Sequence, residues 1–313
     1  MLIIGNPRNQ QELSGRWRRA GKRIGLVPTM GSLHEGHMSL VRASLKSCDR
    51  TVVSVFVNPI QFGPGEDLAR YPRPFIRDCA MLRKAGVDAV FHPSPSAMYP
   101  PGFSTQVEVS GPVLSGLCSP FRPGHFRGVA TVVAKLFNSV RPDAAYFGAK
   151  DFQQAEVVRR MAADLDMGID IRVLPIIREK DGLAMSSRNA YLSKTGRYAA
   201  TVLYRALRAG RDKIVSQEGD IRAVKRAIRG VLGREPLARV EYLEISDAGT
   251  LEPMSSLGGR VRLARQRRAG ETSPTFGGRV LMALAVRVGG TRLIDNVCVQ
   301  VPAGRPRRKI RRK

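Results

Sequence analysis

Two of the four histidines, His34 and His37, share one glycine-bearing run, Pro28-Thr-Met-Gly-Ser-Leu-His-Glu-Gly-His37. Residues three apart stand together on a helical turn, so both imidazoles can face one anion. The run follows an apolar stretch and opens a helical pattern. A helix start offers unpaired N–H groups and the positive end of the dipole, a combination that suits phosphate. Gly31 and Gly36 let a ligand approach the backbone closely. A zinc reading is weak, because the protease pattern spaces its two histidines four apart.

Four further segments carry groups of the right kind. Gln61, in Val57-Asn-Pro-Ile-Gln61, can hydrogen-bond a hydroxyl or carboxylate of a small substrate, although Asn-Pro and the later Gly-Pro-Gly also read as plain turns. In Arg122-Pro-Gly-His-Phe-Arg127, His125 and Arg127 could bind an anion or merely order a loop. Phe147-Gly-Ala-Lys-Asp-Phe-Gln-Gln154 supplies a compact cation in Lys150. Its Asp151 suits a helix cap or Mg²⁺, and Gln153 and Gln154 offer amides. Arg178 to Asn189 holds Ser186, Ser187 and Arg188 in a loop that Gly182 makes pliable, which could close over a triphosphate.

The elements that must position these groups are legible as short apolar runs alternating with helical patterns. Ile24–Val27, Thr51–Val57, Ala89–Phe91, Ala144–Phe147 and Ile171–Leu174 read as strands, with helices over 37–48, 74–85, 128–139 and 151–165 between them. Near-continuous apolar strands of this kind predict an α/β, Rossmann-like parallel sheet with helices on both faces. Such sheets hold ligands beyond the C-terminal ends of their strands, where the loops after Val27, Val57 and Phe147 fall. After about Pro175 the pattern changes to helices over 194–215 and 221–232, then strands at 240–245, 280–288 and 291–294. This predicts a smaller C-terminal α+β domain. The expected division is therefore 1–176 and 177–313, with a mobile insertion near 258–278 and a disordered basic tail over 304–313.

Composition narrows the function classes. The hydrophobic fraction of 43% fits a globular chain. No apolar run reaches the roughly 20 residues of a membrane span, and the N-terminus lacks the features of a signal peptide. The four cysteines are scattered, which argues for free thiols in a reducing cytoplasm and against a disulfide framework or zinc site. A net charge of +26 invites a nucleic-acid reading. Much of that excess lies away from the segments above: seven of the nine residues from Arg305 to Lys313 are Lys or Arg, and Arg260, Arg262, Arg265, Arg267 and Arg268 form a second cluster. No recognised nucleic-acid motif accompanies them, so no specific nucleic-acid partner is expected. Salt-sensitive phosphate binding would be the signature of that alternative.

The His34-x-x-His37 run matches the H-x-G-H pattern of adenylate-forming nucleotidyltransferases, and Met185-Ser-Ser-Arg188 resembles the K-M-S-K-S loop of class I aminoacyl-tRNA synthetases. Taken in order with Phe56-Val-Asn-Pro59, Gln61-Phe62, Glu66-Asp67, Tyr71-Pro-Arg73, Arg122 to Val129 and Asp181 to Asn189, these motifs resemble the pantoate–β-alanine ligase (pantothenate synthetase) family from about Gly25 to Val301. The resemblance implies ATP- and Mg²⁺-dependent joining of pantoate to β-alanine through an acyl adenylate, in a cytoplasmic homodimer without a membrane partner. It implies that His34, His37 and Lys150 are catalytic, with His37 at the position usually assigned as proton donor. The nucleotide site would comprise Met30, Gly31, Ser32, Leu33, His34, Glu35, Gly36, His37, Gly148, Ala149, Lys150, Asp151, Ile177, Met185, Ser186, Ser187 and Arg188. Gln61 and Gln154 would hold the substrates, and Asp151 would hold the metal. Ala149 departs from the family's usual Glu or polar residue. The arginine-rich insertion and tail have no counterpart in the family.

Overall fold

The computed structural model describes residues 1–216, 219–257 and 278–301. Apart from Gly278, the insertion expected near 258–278 and the basic tail 304–313 lie outside these residues. The chain forms two compact units, Met1–Tyr191 and Leu192–Lys313.

The first unit runs β1 (Leu2–Ile4), α1 (Pro7–Arg19), β2 (Ile24–Thr29), α2 (Glu35–Ser47), β3 (Arg50–Val55), α3 (Phe75–Ala85), β4 (Ala89–Phe91), α4 (Pro95–Met98), α5 (His125–Val140), β5 (Ala144–Gly148), α6 (Phe152–Asp164) and β6 (Asp170–Leu174). Its six strands are all parallel, in the order β1-β4-β3-β2-β5-β6. Val52 and Val53 in β3 are both fully buried, because neighbouring strand residues face opposite sides and both sides are covered. Val27, Val53, Val90 and Tyr146 share one core with Met38 and Val41 of α2 and Leu82 of α3. Alternate residues such as Leu26 turn to the other face, where α1 and α5 pack on β2. From β2 the chain moves outward through β3 to β4, and later from β5 to β6 in the opposite direction. The direction therefore reverses between β2 and β5, the crevice in which open α/β sheets hold ligands.

The second unit runs α7 (Lys194–Ala199), α8 (Val202–Val215), α9 (Ile221–Leu232), β7 (Ala238–Asp247), β8 (Arg279–Val288) and β9 (Thr291–Gln300). Its strands form an antiparallel β7-β8-β9 sheet. The helix expected over 194–215 is two helices, divided at Ala200–Thr201. Gly210 lets α8 and α9 meet closely, since a Cβ there would lie 2.6 Å from Ile228 Cδ1. No helix among the described residues is long and apolar enough to cross a membrane.

Two further features depart from the sequence reading. Strand β1 and helix α1 have no counterpart in it. The boundary between units falls after Tyr191 rather than at 176/177. The loop 177–191 is fastened to the first unit: Arg188 pairs with Asp67, Tyr71 Oη and Ser187 Oγ are 3.0 Å apart, and Tyr191 Oη donates to the Arg70 carbonyl.

Candidate active site

The loop after β2 is built to deliver two imidazoles. Gly31 has φ 81° and Ser32 φ 51°, both in the left-handed region. The carboxylate of Asp78, on α3, accepts from the N–H groups of Ser32 (2.7 Å) and Leu33 (2.9 Å), tying the turn down. His34 then becomes the N-cap of α2, and its Nδ1 accepts from Gly36 N at 3.1 Å. His37 Nδ1 accepts in turn from His34 N at 3.4 Å, and the ring centroids stand 4.0 Å apart. A backbone N–H can only donate, so both Nδ1 atoms are unprotonated. The neutral rings therefore carry their protons on Nε2. Burial, with the Lys150 ammonium adding to it, holds His34 down at about 4. Burial, then His34 and Lys150, hold His37 at about 3. At neutral pH the pair presents two uncharged N–H donors.

Both histidines line a cavity whose wall is drawn from the first unit. From the end of β5 comes Gly148, from the turn after it Lys150 and Asp151, and from α6 Gln154. Lys150 Nζ lies 3.6 Å from Asp151 Oδ1. Asp151 occupies the N-cap position of α6 without making a side-chain capping bond, so capping does not account for its carboxylate. Gln154 faces the cavity, but Gln153 does not. Its amide accepts from Cys118 N (2.9 Å) and donates to Val113 O, Gly116 O and Ser119 Oγ, clamping the 113–119 loop.

Ile177 and Met185 to Arg188 close another side. Met185 N donates to Ile177 O at 3.0 Å, and Arg178 bridges Ala184, so the loop doubles back on itself. Arg188 makes two 2.8 Å bonds to the Asp67 carboxylate, and its guanidinium lies 5.9 Å from the Tyr71 ring centroid. Burial pushes the Asp67 carboxyl up, but the Arg188 contacts outweigh it and the net shift is downward.

Gln61 stands in a network that the sequence reading foresees only in part. Arg122 binds Glu66 through Nε (2.7 Å) and Nη2 (2.5 Å), and its Nη1 donates to His125 Nε2 at 2.9 Å. Since that nitrogen accepts, Nδ1 carries the proton and donates to Gln61 O at 2.8 Å. Burial, with Arg122 beside it, holds His125 at about 4. Asn58 Nδ2 donates to Gln61 Oε1 at 2.9 Å, and Gln61 Nε2 approaches Met30 Sδ at 3.2 Å.

The cavity thus gathers Met30, His34, Gly36, His37, Gln61, Gly148, Lys150, Asp151, Gln154, Ile177 and Met185 to Arg188. Gly31, Ser32, Leu33, Glu35 and Ala149 are outside its lining: Leu33 is buried in the core, and Glu35 pairs with Arg42 on the surface. Asn58, Tyr71 and Arg122 also line it, although the sequence reading does not assign them to the site, and so does His125, which that reading leaves open between an anion ligand and a loop contact. Asn58 is detectable as part of the Asn-Pro turn closing a strand. Arg127, weighed with His125 as an anion ligand, is exposed and outside the lining.

Two uncharged donors at a helix start, a lysine with a carboxylate beside it, and two glutamines all open on one crevice. This set suits a substrate with phosphates at one end and a small carboxylate at the other. Comparisons with known proteins agree. The family model for pantoate-beta-alanine ligase matches residues 2–298. The pantothenate synthetase of Heliobacterium modesticaldum is 48% identical over 301 residues, covering 96% of this chain and 100% of the relative. That of Moorella thermoacetica is 51% identical over 284 residues, covering 91% and 93%. Among solved structures, pantothenate synthetase from Thermus thermophilus superposes with a TM-score of 0.84 at 44% identity, covering 96% and 99%. Pantoate-beta-alanine ligase from Francisella tularensis, solved with beta-gamma ATP and beta-alanine, gives 0.74 at 29% identity, covering 97% and 99%. Fold, crevice and likeness along nearly the whole length converge, and the chain belongs to the pantoate–β-alanine ligase family.

Proposed function

We propose that the chain joins pantoate to β-alanine at the expense of ATP, through a pantoyl adenylate. The observation that carries the chemistry is the pair of uncharged Nε2–H donors at the start of α2, facing the same crevice as Lys150 and the two glutamines. A carboxylate is a poor acyl donor. Attack of its oxygen on the α-phosphorus of ATP expels pyrophosphate and yields a mixed anhydride. The amine of β-alanine then attacks the acyl carbon, the C–O bond to AMP breaks, and the amine proton is released.

In this reading His34 and His37 donate to phosphate oxygens, where charge grows as the bond to pyrophosphate lengthens. Being neutral, they add hydrogen bonds without repelling Lys150, which supplies the positive charge. Gln61 and Gln154 hold pantoate, and Met185 to Arg188 cover the nucleotide. The crevice must exclude water from the adenylate, which hydrolysis would waste.

Mg²⁺ is commonly held by one or two carboxylates together with substrate phosphates and water. Asp151 fits that role, as a carboxylate in the cavity wall beside Lys150 that makes no capping bond. Bound there, the ion would neutralise phosphate charge. The homodimer and the cytoplasmic setting belong to the same reading, and sedimentation velocity tests the first. The enzymatic test is AMP release from ATP, which should need both pantoate and β-alanine. AMP release indifferent to pantoate would overturn the reading.

A further inference from the structure

We infer that Tyr99 is a positioning residue for the acid-binding end of the site, holding through Asn58 the Gln61 amide in the place where its NH₂ group meets the substrate. The inference rests on the reading that Gln61 holds pantoate.

The polarity of the relay follows from its fixed end. Asn58 lies in the turn after β3 and is 1% exposed, so its amide has little recourse to water. One of its neighbours is the carbonyl of Gly128, 3.1 Å away, which can only accept. The Asn58 atom there is therefore the nitrogen. The same nitrogen reaches Gln61 at 2.9 Å, so Gln61 turns its oxygen inward. The Asn58 oxygen is left facing Tyr99 Oη at 2.7 Å, where the phenol donates. Gln61 consequently meets the cavity through its NH₂ group, whose contact within the protein is the thioether of Met30 at 3.2 Å, a weak acceptor. A side chain presented as a donor selects a ligand oxygen, as in a carboxylate or hydroxyl. The reversed amide would set oxygen against a carboxylate oxygen, which cannot donate.

Tyr99 is held for this task from several sides. Its N–H bonds back to Pro95 O at 2.8 Å, closing α4. Its ring packs against Phe103 (5.0 Å between centroids) and Phe56 (6.1 Å), and the Lys135 ammonium lies 5.8 Å from its centroid. The phenol is not among the residues lining the cavity, so it acts only through Asn58. Without it, the Asn58 oxygen lacks its donor; the Gly128 carbonyl still forbids inversion, so the loss loosens the plane of the Asn58 amide and with it the placement of the Gln61 NH₂ group.

The test is a kinetic cycle on the full-length enzyme with Tyr99→Phe, Gln61→Ala and the double variant. Folding is checked by thermal denaturation. Tyr99→Phe should raise KM for pantoate about tenfold, the scale of one buried polar group left mismatched, and move KM for ATP less than about twofold. Added to Gln61→Ala it should have no further effect, because its action passes through that amide. Asn58→Asp provides a second route that keeps the phenol. It turns the donor facing Gln61 into an acceptor and should give the same pantoate-selective loss. If Gln61→Ala is selective for pantoate while Tyr99→Phe is silent, weakens both substrates equally or adds fully to it, the relay is refuted and the assignment of Gln61 stands. If Gln61→Ala is itself unselective, the assignment of Gln61 fails and the relay falls with it.

Discussion

Gly128→Ala adds one methyl group and should cripple the enzyme's use of pantoate. Gly128 sits in the first turns of α5 against the short turn that carries Gln61. A Cβ there would lie 2.4 Å from Ile60 O, 2.7 Å from Ile60 C and 2.7 Å from Gln61 Cα, all backbone atoms that no rotamer change can move. Ordinary contact begins at 3.4 Å, so one of the two backbones must retreat by about 1.0 Å. Gln61, with Asn58 bonded both to it and to the Gly128 carbonyl, moves with that retreat. A misplacement of about 1 Å at a positioning group costs on the order of 10²-fold in rate. The overpacking itself costs about 1–3 kcal/mol. Ala is favoured over Gly inside a helix by about 1 kcal/mol, which offsets part of that loss. Net destabilisation therefore stays at or below about 2 kcal/mol, small beside the loss of activity. Steady-state kinetics with pantoate varied at saturating ATP, alongside thermal denaturation, separate the two effects. A variant with raised stability and wild-type KM and kcat for pantoate would refute the close approach of α5 to the Gln61 turn.

His37→Ala should fold normally and lose about 10²-fold or more in turnover, the usual scale for one preorganised donor. Near-normal AMP release by the folded variant would contradict its role. The native pKa values of His34 (about 4), His37 (about 3) and His125 (about 4) all lie below the ordinary 6.5, so between these limits the unfolded chain binds more protons than the native one. Their stability contribution is therefore full above pH 6.5 and declines as pH falls, towards about 4 for His34 and His125 and about 3 for His37. Denaturation at pH 7 and pH 5 should register the loss, and ¹⁵N spectra at pH 6 should show Nε2–H tautomers for His34 and His37 and Nδ1–H for His125. Imidazolium signals from the pair at pH 6 would contradict this. Truncation after Ala303 leaves the family-matched residues 2–298 intact, so turnover at saturating substrate should be unchanged, with at most a salt-sensitive shift in apparent ATP affinity.

The parts of this molecule that can be read from its residues are those with one physical cause. Thr51–Val55 is buried on both faces, so a β-branched run announces a central strand without ambiguity. The paired histidines are legible because glycine, spacing and helix start all point to an anion. By contrast, β1 is three residues long with Leu2 and Ile3 half exposed, and α1 buries only Gln10, Leu13 and Ser14, too little apolar periodicity to signal a helix. Gln153 and Gln154 illustrate a different limit. Neighbours on a helix differ by about 100° in direction, and which one meets the cavity depends on where the 113–119 loop crosses α6. The loop 177–191 falls in the wrong unit on sequence alone because its ties to Asp67, Tyr71 and Arg70 are side-chain bonds across more than a hundred residues, invisible to local pattern. The departure at Ala149 is less consequential than the chain alone implies, since the cavity there is lined by Gly148, Lys150 and Asp151.

The central claim is that the pantoate carboxylate becomes joined to the α-phosphate of ATP before the amide forms. Pantoate labelled with oxygen-18 in its carboxylate tests this directly. The carboxylate oxygen that attacks phosphorus must leave with AMP when β-alanine displaces it. Mass spectrometry of the products should therefore find an oxygen-18 atom in the phosphate of AMP, in proportion to the pantothenate made and with pyrophosphate unlabelled. Unlabelled AMP alongside normal amide formation, or label appearing in inorganic phosphate, would contradict the account.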